Sequence, residues 1–200
     1  MKIAAAILCC LCVSAGLAAQ HAPQLVERVW YDGDRPEHVW MAPDQVAVIF
    51  SAEAVPRTRD AAEAVARRAE PGATLVRQHG PVAWFRISDP SSRREHVARL
   101  RQQAGVRHAS AAFYETPDAR PETATALTGE IIVTFRDGQQ AGELARRHGI
   151  RLLSRVGSLP NTYVFDARDA EDILTLANSL RGEPGVALSS PAWTRNVVAR

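Results

Sequence analysis

Gly129-Glu130-Ile131-Ile132-Val133-Thr134-Phe135 is a short apolar run with strand character, and Asp137-Gly138 follows it as a turn signal. The stretch decides the fold because the chain says it twice. Gln45-Val46-Ala47-Val48-Ile49-Phe50 has the same character about eighty residues earlier. Further landmarks repeat in the same order. Ala66-Arg67-Arg68 and Ala145-Arg146-Arg147 each fall late in a helix-like stretch. Trp84-Phe85-Arg86-Ile87 and Tyr163-Val164-Phe165-Asp166 both read as strands. Helical stretches follow at 92–103 and 170–181, then Gly105-Val106 and Gly185-Val186, a small-residue strand, and an aromatic at Phe113 or Trp193. So many landmarks in one order mark an internal repeat.

The second copy spells out the elements. After the opening strand comes an amphipathic helix with Leu144, Ala145 and His148 at helical spacing, and Gly149 stands where a helix C-cap belongs. A strand is expected over 151–156, a turn at Gly157-Ser158-Leu159-Pro160-Asn161, and a third strand over 162–166. Asp169 is expected to cap the second helix, whose apolar stripe is Ile173, Leu174, Ala177 and Leu180. The last strand is expected over 186–189. The order β-α-β-β-α-β predicts an α+β chain of two tandem ferredoxin-like modules, each an antiparallel four-stranded sheet with its helices on one face.

Outside the copies the reading is of a different kind. Met1-Lys2, the apolar stretch to Leu17 and the small residues Gly16, Ala18 and Ala19 form a secretory signal over 1–19. The apolar stretch is too short for the roughly 20 residues of a membrane span. All three cysteines, Cys9, Cys10 and Cys12, lie within it, so the exported part has no disulfide and no thiolate. An extension over 20–43 is expected to form a hairpin, with Val29-Trp30-Tyr31 running into a turn at Asp32-Gly33 and His38-Val39-Trp40 returning. The first module then spans 44–115, a Pro/Thr/Ala-rich linker 116–128, and the second module with its C-terminal tail 129–200. The net charge of +2 gives no electrostatic case for nucleic acid.

The ordered pieces of the second copy resemble subtilisin propeptides. They are Gly129 to Gly138, Ala145-Arg146-Arg147-His148-Gly149, Leu159-Pro160-Asn161-Thr162-Tyr163-Val164, Leu180-Arg181-Gly182-Glu183-Pro184-Gly185-Val186 and Ser189-Ser190-Pro191-Ala192-Trp193. The first copy resembles them more weakly. The leading hairpin with Met41-Ala42-Pro43-Asp44-Gln45-Val46 looks like the N-terminal prodomain region of large secreted subtilisin-like proteases. The resemblance implies a partner, a subtilisin-like serine protease. Such propeptides lay the outer face of their sheet on two protease helices and their tail in the substrate cleft, and they inhibit the protease or help it fold. Carried over by position, the partner-binding residues are Trp193, Asn196, Val197, Val198, Ala199 and Arg200. Arg200 would sit beside the cleaved bond, where these enzymes often prefer an apolar residue.

The chain itself shows no catalytic motif. His79-Gly80 and His148-Gly149 fit helix ends or turns, and no serine lies in a Gly-x-Ser-x-Gly elbow. The six histidines include no HExxH and no i,i+4 pair, so no metal or other cofactor is expected. The sheet strands lack the aromatic and basic surround that RNA binding needs. The expectation is a secreted or periplasmic, non-enzymatic protein that binds a subtilisin-like protease as inhibitor or folding chaperone. Two alternatives stay open: the prodomain portion of a split or truncated protease, and a ligand-binding or structural interaction module.

Overall fold

The computed structural model describes residues 24–118, 120, 123–137 and 141–194. The expected signal peptide and tail residues Asn196 to Arg200 lie outside the described residues. Among these residues, two antiparallel sheets and four α-helices make an α+β fold.

The N-terminal half opens with β1 (Val26–Asp32) and β2 (Arg35–Phe50). They form the expected hairpin, but its two-residue turn is Gly33-Asp34, one position beyond Asp32-Gly33, with Asp32 opposite Arg35. Gly33 takes φ +62, which a glycine adopts without strain. The returning strand does not stop at Trp40. It runs on for 16 residues and becomes the opening strand of the first copy. Pro43 has no N–H for a ladder, and the register against the next partner shifts between Ala42 and Val46. Within one sheet, β1 pairs with the first part of this long strand, β4 (Val82–Arg86) with the second, and β5 (Val106–Tyr114) on both sides of the irregularity.

The rest of the first half is α1 (Arg59–Ala69), β3 (Thr74–His79), β4 (Val82–Arg86), α2 (Arg93–Arg101) and β5 (Val106–Tyr114). Thr58 caps α1 by accepting from Ala61 N at 3.2 Å. The helices cover one sheet face through Val46, Val48, Phe50, Ala62, Ala66, Phe85 and Leu100. The second half repeats the order with β7 (Leu127–Phe135), α3 (Ala141–His148), β8 (Arg151–Arg155), β9 (Thr162–Asp166), α4 (Ile173–Leu180) and β10 (Val186–Trp193). A short strand, β6 (Ala124–Thr125), precedes it and pairs with Phe113 and Tyr114. Residues 124–128, read as linker, are therefore largely strand.

Both sheets place their strands alike. The second runs β10-β7-β9-β8; the first runs β3-β4-β2-β5, the same sequence of places read from the other side, and continues to β6. Turn details repeat too. Gly105 (φ +80) and Gly185 (φ +83) lead into the last strands, and their carbonyls accept from Ser51 N at 2.9 Å and Arg136 N at 2.8 Å. In β7 burial alternates strictly, with Ile131, Val133 and Phe135 inward. Gly149 ends α3 at φ +61, as a C-cap requires.

The expected stripe of α4, Ile173, Leu174, Ala177 and Leu180, is the buried face. Its cap is not Asp169. The chain first makes a turn, with Ala170 N donating to Ala167 O at 2.9 Å, and Asp172 then accepts from Thr175 N at 3.1 Å. The helix accordingly starts later than residue 170.

The halves share a core. Val39, Met41 and Phe113 belong to the same buried cluster as Ile131, Phe165 and Leu174. Polar contacts stitch the hairpin to the second module: Arg28 to Asp172 at 2.5 Å, Asn178 Nδ2 to Val29 O at 2.9 Å, and Arg181 to Asp34 at 3.0 Å with its guanidinium 4.0 Å from the Tyr31 ring centre.

Candidate functional site

Chemistry-bearing side chains gather in three places. In the first, Ser92 Oγ and Glu70 Oε2 both stand 2.8 Å from Nε2 of the buried His96, while Nδ1 meets the Arg99 guanidinium. Nδ1 accepts from Arg99, which leaves the ring proton on Nε2. A nucleophile relay needs serine and acid on opposite ring nitrogens, so this cluster does not activate Ser92. Ser88 also donates to Glu70, and that bond is the first cause holding the Glu70 carboxyl below its usual range. The cluster ties α2 to the end of α1.

In the second, Asp166 on β9 accepts from Arg168 Nε at 2.8 Å and Arg151 Nη2 at 2.7 Å. The Arg168 bond, more than the pull of burial the other way, holds this carboxyl well below the carboxylate range. In the third, His108 on β5 is 1% exposed, and neither ring nitrogen has a partner among the described residues. Burial, then the Arg101 and Arg168 guanidiniums, push its pKa down to about 3. Gly129 lies against this ring: a Cβ there would come within 2.9 Å of His108 Nδ1. All three clusters read as architecture. Among the described residues no three His, Cys, Asp or Glu side chains converge as metal ligands, and no helix is long and apolar enough to cross a membrane.

The sheets differ on the faces their helices leave bare. In the first, Ala47, Ile49, Trp84, Ala112 and Tyr114 all point away from α1 and α2 and all are buried. In the second, Ile132 stands between Ser190 and Val164 in the ladder, with Leu188, Thr134 and Thr162 in the adjoining row. Ile132, Val164 and Leu188 are only partly buried. Leu153, in the irregularity of the edge strand β8, is 44% exposed, and Leu159 in the following turn 52%. The second module thus presents an open, partly apolar outer face.

Of the residues expected to meet a partner, only Trp193 is described. It ends β10 half-buried, with its ring 5.3 Å from Phe113, edge to face, and 5.9 Å from Trp30. Its Nε1 is buried without a partner among the described residues. Phe113 and Trp193 hold equivalent places in the two copies, so the repeat alone pairs them by position; nothing in the sequence says that they touch. Beyond it, Thr194 N donates to Ala126 O at 2.8 Å, and Thr194 Oγ1 accepts from Ala126 N at 3.0 Å. Thr194 is therefore held beside the segment that joins the two halves.

Comparison with known proteins gives one match. A family model described as "Open reading frame 2 N-terminal domain" matches residues 118–190, a segment that begins just before β6 and ends within β10. No curated protein and no solved structure matches the chain.

Proposed function

We propose that this is an exported, non-catalytic protein that binds a subtilisin-like serine protease, as a propeptide-type inhibitor, a folding chaperone or both. It consists of two ferredoxin-like modules behind a secretory signal at 1–19, and the second module makes the contact. The strand order in each sheet supports that plan.

The open outer face of the second sheet carries the reading. Ile132, Val164 and Leu188 lie on the side away from α3 and α4, and Val164 pairs with Ser154, next in the chain to the exposed Leu153, whereas the corresponding face of the first sheet is filled. A partly apolar face on a rigid sheet suits the helices of another protein. The last strand of that sheet leads through Thr194 to the tail, and an extended tail joins a cleft edge through main-chain hydrogen bonds. In this reading Val197, Val198 and Ala199 fill shallow subsites, and the first module supports the second.

The test is titration of purified residues 20–200 against subtilisin-like proteases, in inhibition and refolding assays. Absence of both effects at micromolar protein sinks the proposal. Removal of 196–200 should weaken inhibition while the fold survives, and equal potency would rule out the tail in the cleft. Val164→Asp should weaken binding through the sheet face independently of the tail. A second reading is the prodomain portion of a split or truncated subtilisin-like protease. A protease domain encoded directly downstream would favour that reading.

A further inference from the structure

The two modules meet along a cleft of about 300 Å³. One wall is the outward face of α2, where Arg93, Arg94, Val97 and Arg101 follow one another at helical spacing. The floor is Met41, Phe113 and Leu127, from the bent strand β2, the end of β5 and the start of β7. The far wall is the turn before α4, with Asp169, Glu171 and Asp172.

Charge in the cleft does not balance. Arg28 is taken by Asp172 at 2.5 Å, and Arg94 by Glu171 at 2.6 Å. Two guanidiniums remain against one carboxylate, Asp169. Among the described residues Arg93 donates to Pro43 O alone, at 3.3 Å. Arg101 donates to Ala109 O at 2.9 Å and Ala170 O at 3.4 Å, spanning the two modules. Neither has a carboxylate within ion-pair distance among the described residues. Both are partly withdrawn from water, and burial is the first cause lowering the pKa of each. A guanidinium offers five N–H donors, so each keeps donors beyond the carbonyls it meets. Both side chains line the cleft, and none of their nitrogens is among the buried atoms that lack a partner among the described residues.

A half-buried cation without a counterion, above an apolar floor, is complementary to one kind of molecule. We propose that this cleft binds a small amphipathic carboxylate, its head on a guanidinium that has no carboxylate partner, Arg93 or Arg101, and its apolar body on Met41, Phe113 and Leu127. One negative charge completes the balance, and planar carboxylates match the guanidinium fork. The floor gives the preference for an apolar body over a bare anion such as chloride. The inference is independent of protease binding, which uses the outer face of the second sheet and the tail.

The experiment uses the 15N-labelled chain and two probes of the same shape, 3-phenylpropionate and its neutral amide. The Trp193 indole reports, because its ring touches Phe113 on the cleft floor. The acid should give saturable shifts centred on Phe113, Val97 and Ile173. The amide should bind at least about tenfold more weakly, as loss of a charge-assisted hydrogen bond predicts. Arg93→Gln should weaken the acid by a similar factor and leave the circular dichroism spectrum unchanged, since among the described residues Arg93 donates to one carbonyl alone. Arg101→Gln is the second variant, checked by its melting midpoint because it also links the modules. Equal binding of acid and amide, unchanged affinity in a folded Arg93→Gln, or shifts scattered without saturation would each overturn the proposal.

Discussion

Replacing Trp193 by alanine should loosen the junction between the two modules. The ring is half-buried and makes two aromatic contacts, edge to face with Phe113 at 5.3 Å and tilted to Trp30 at 5.9 Å. Each such pair contributes about 0.5–1.5 kcal/mol beyond area burial. Lost apolar burial of a partly exposed ring adds less than the full value for a core tryptophan, so the total is about 2–4 kcal/mol. For a chain of this size that lowers the melting midpoint by about 5–15 °C. Trp193→Phe separates the causes. It keeps an aromatic ring and removes the indole N–H that has no partner, so its cost should be small. A double-mutant cycle of Trp193→Ala with Phe113→Ala should give a coupling of about 0.5–1.5 kcal/mol. The assay is thermal and urea unfolding followed by circular dichroism. An unchanged midpoint in Trp193→Ala, or additivity with Phe113→Ala, refutes the junction role. If Trp193 instead faces a partner, Trp193→Phe weakens partner binding and leaves unfolding untouched.

Three further outcomes follow from the geometry. His108 stays neutral in the fold down to about pH 3 but takes its proton near 6.5 when unfolded, so the unfolded chain binds more protons between those values and stability falls as pH drops from 6.5. Urea midpoints between pH 6.5 and 5 should show this slope, up to about 1.4 kcal/mol per pH unit, and His108→Leu should flatten it; an unaltered slope refutes the assignment. Asp172→Ala should cost about 1–2 kcal/mol, through the lost α4 cap and the lost Arg28 pair, while Asp172→Ser keeps the cap and recovers part of that in the same assay. Gly129→Ala should destabilise by more than about 1 kcal/mol, because Gly129 sits at φ +89 with His108 and Arg168 against the position of the new Cβ; a midpoint equal to that of the parent chain counts against it.

Much of the fold is legible because period and punctuation agree locally. Ile131, Val133 and Phe135 point inward from a strand that alternates as a half-buried strand does, and Ile173, Leu174, Ala177 and Leu180 form a stripe no other element would produce. Gly149 and Gly185 mark their turns with positive φ. Legibility fails where distant chain decides. Nothing near Trp40 ends the hairpin strand, because the distant β5 pairs with Trp40, Met41 and Ala42 and carries the strand on. Asp169 and Asp172 are equally good caps by residue type. Arg28 and Thr175 select Asp172, and only the folded chain brings Arg28 there. The candidate surface is partly visible: the alternation of β7 leaves Ile132 on an outer face, but its neighbours Val164 and Leu188 come from strands 32 and 56 residues away, as the register pairs Ile132 with Val164 and Thr134 with Leu188. The cleft is invisible in sequence, since its walls come from both copies.

The long bent strand also sets an order of events during synthesis. Val39 and Met41 leave the ribosome early, yet the core they enter contains Ile173, Leu174 and Leu180. Until the last third of the chain emerges, the hairpin has only one of its two partners, and its aromatic Trp30 side lacks Trp193. Contacts closed over some 140 residues, such as Arg28 with Asp172, form late, because loop closure must come before the contact that rewards it. The nascent chain therefore carries a hairpin whose second-half contacts are unmade for most of its synthesis. Refolding in vitro should be slowest at the step that docks the hairpin onto α4.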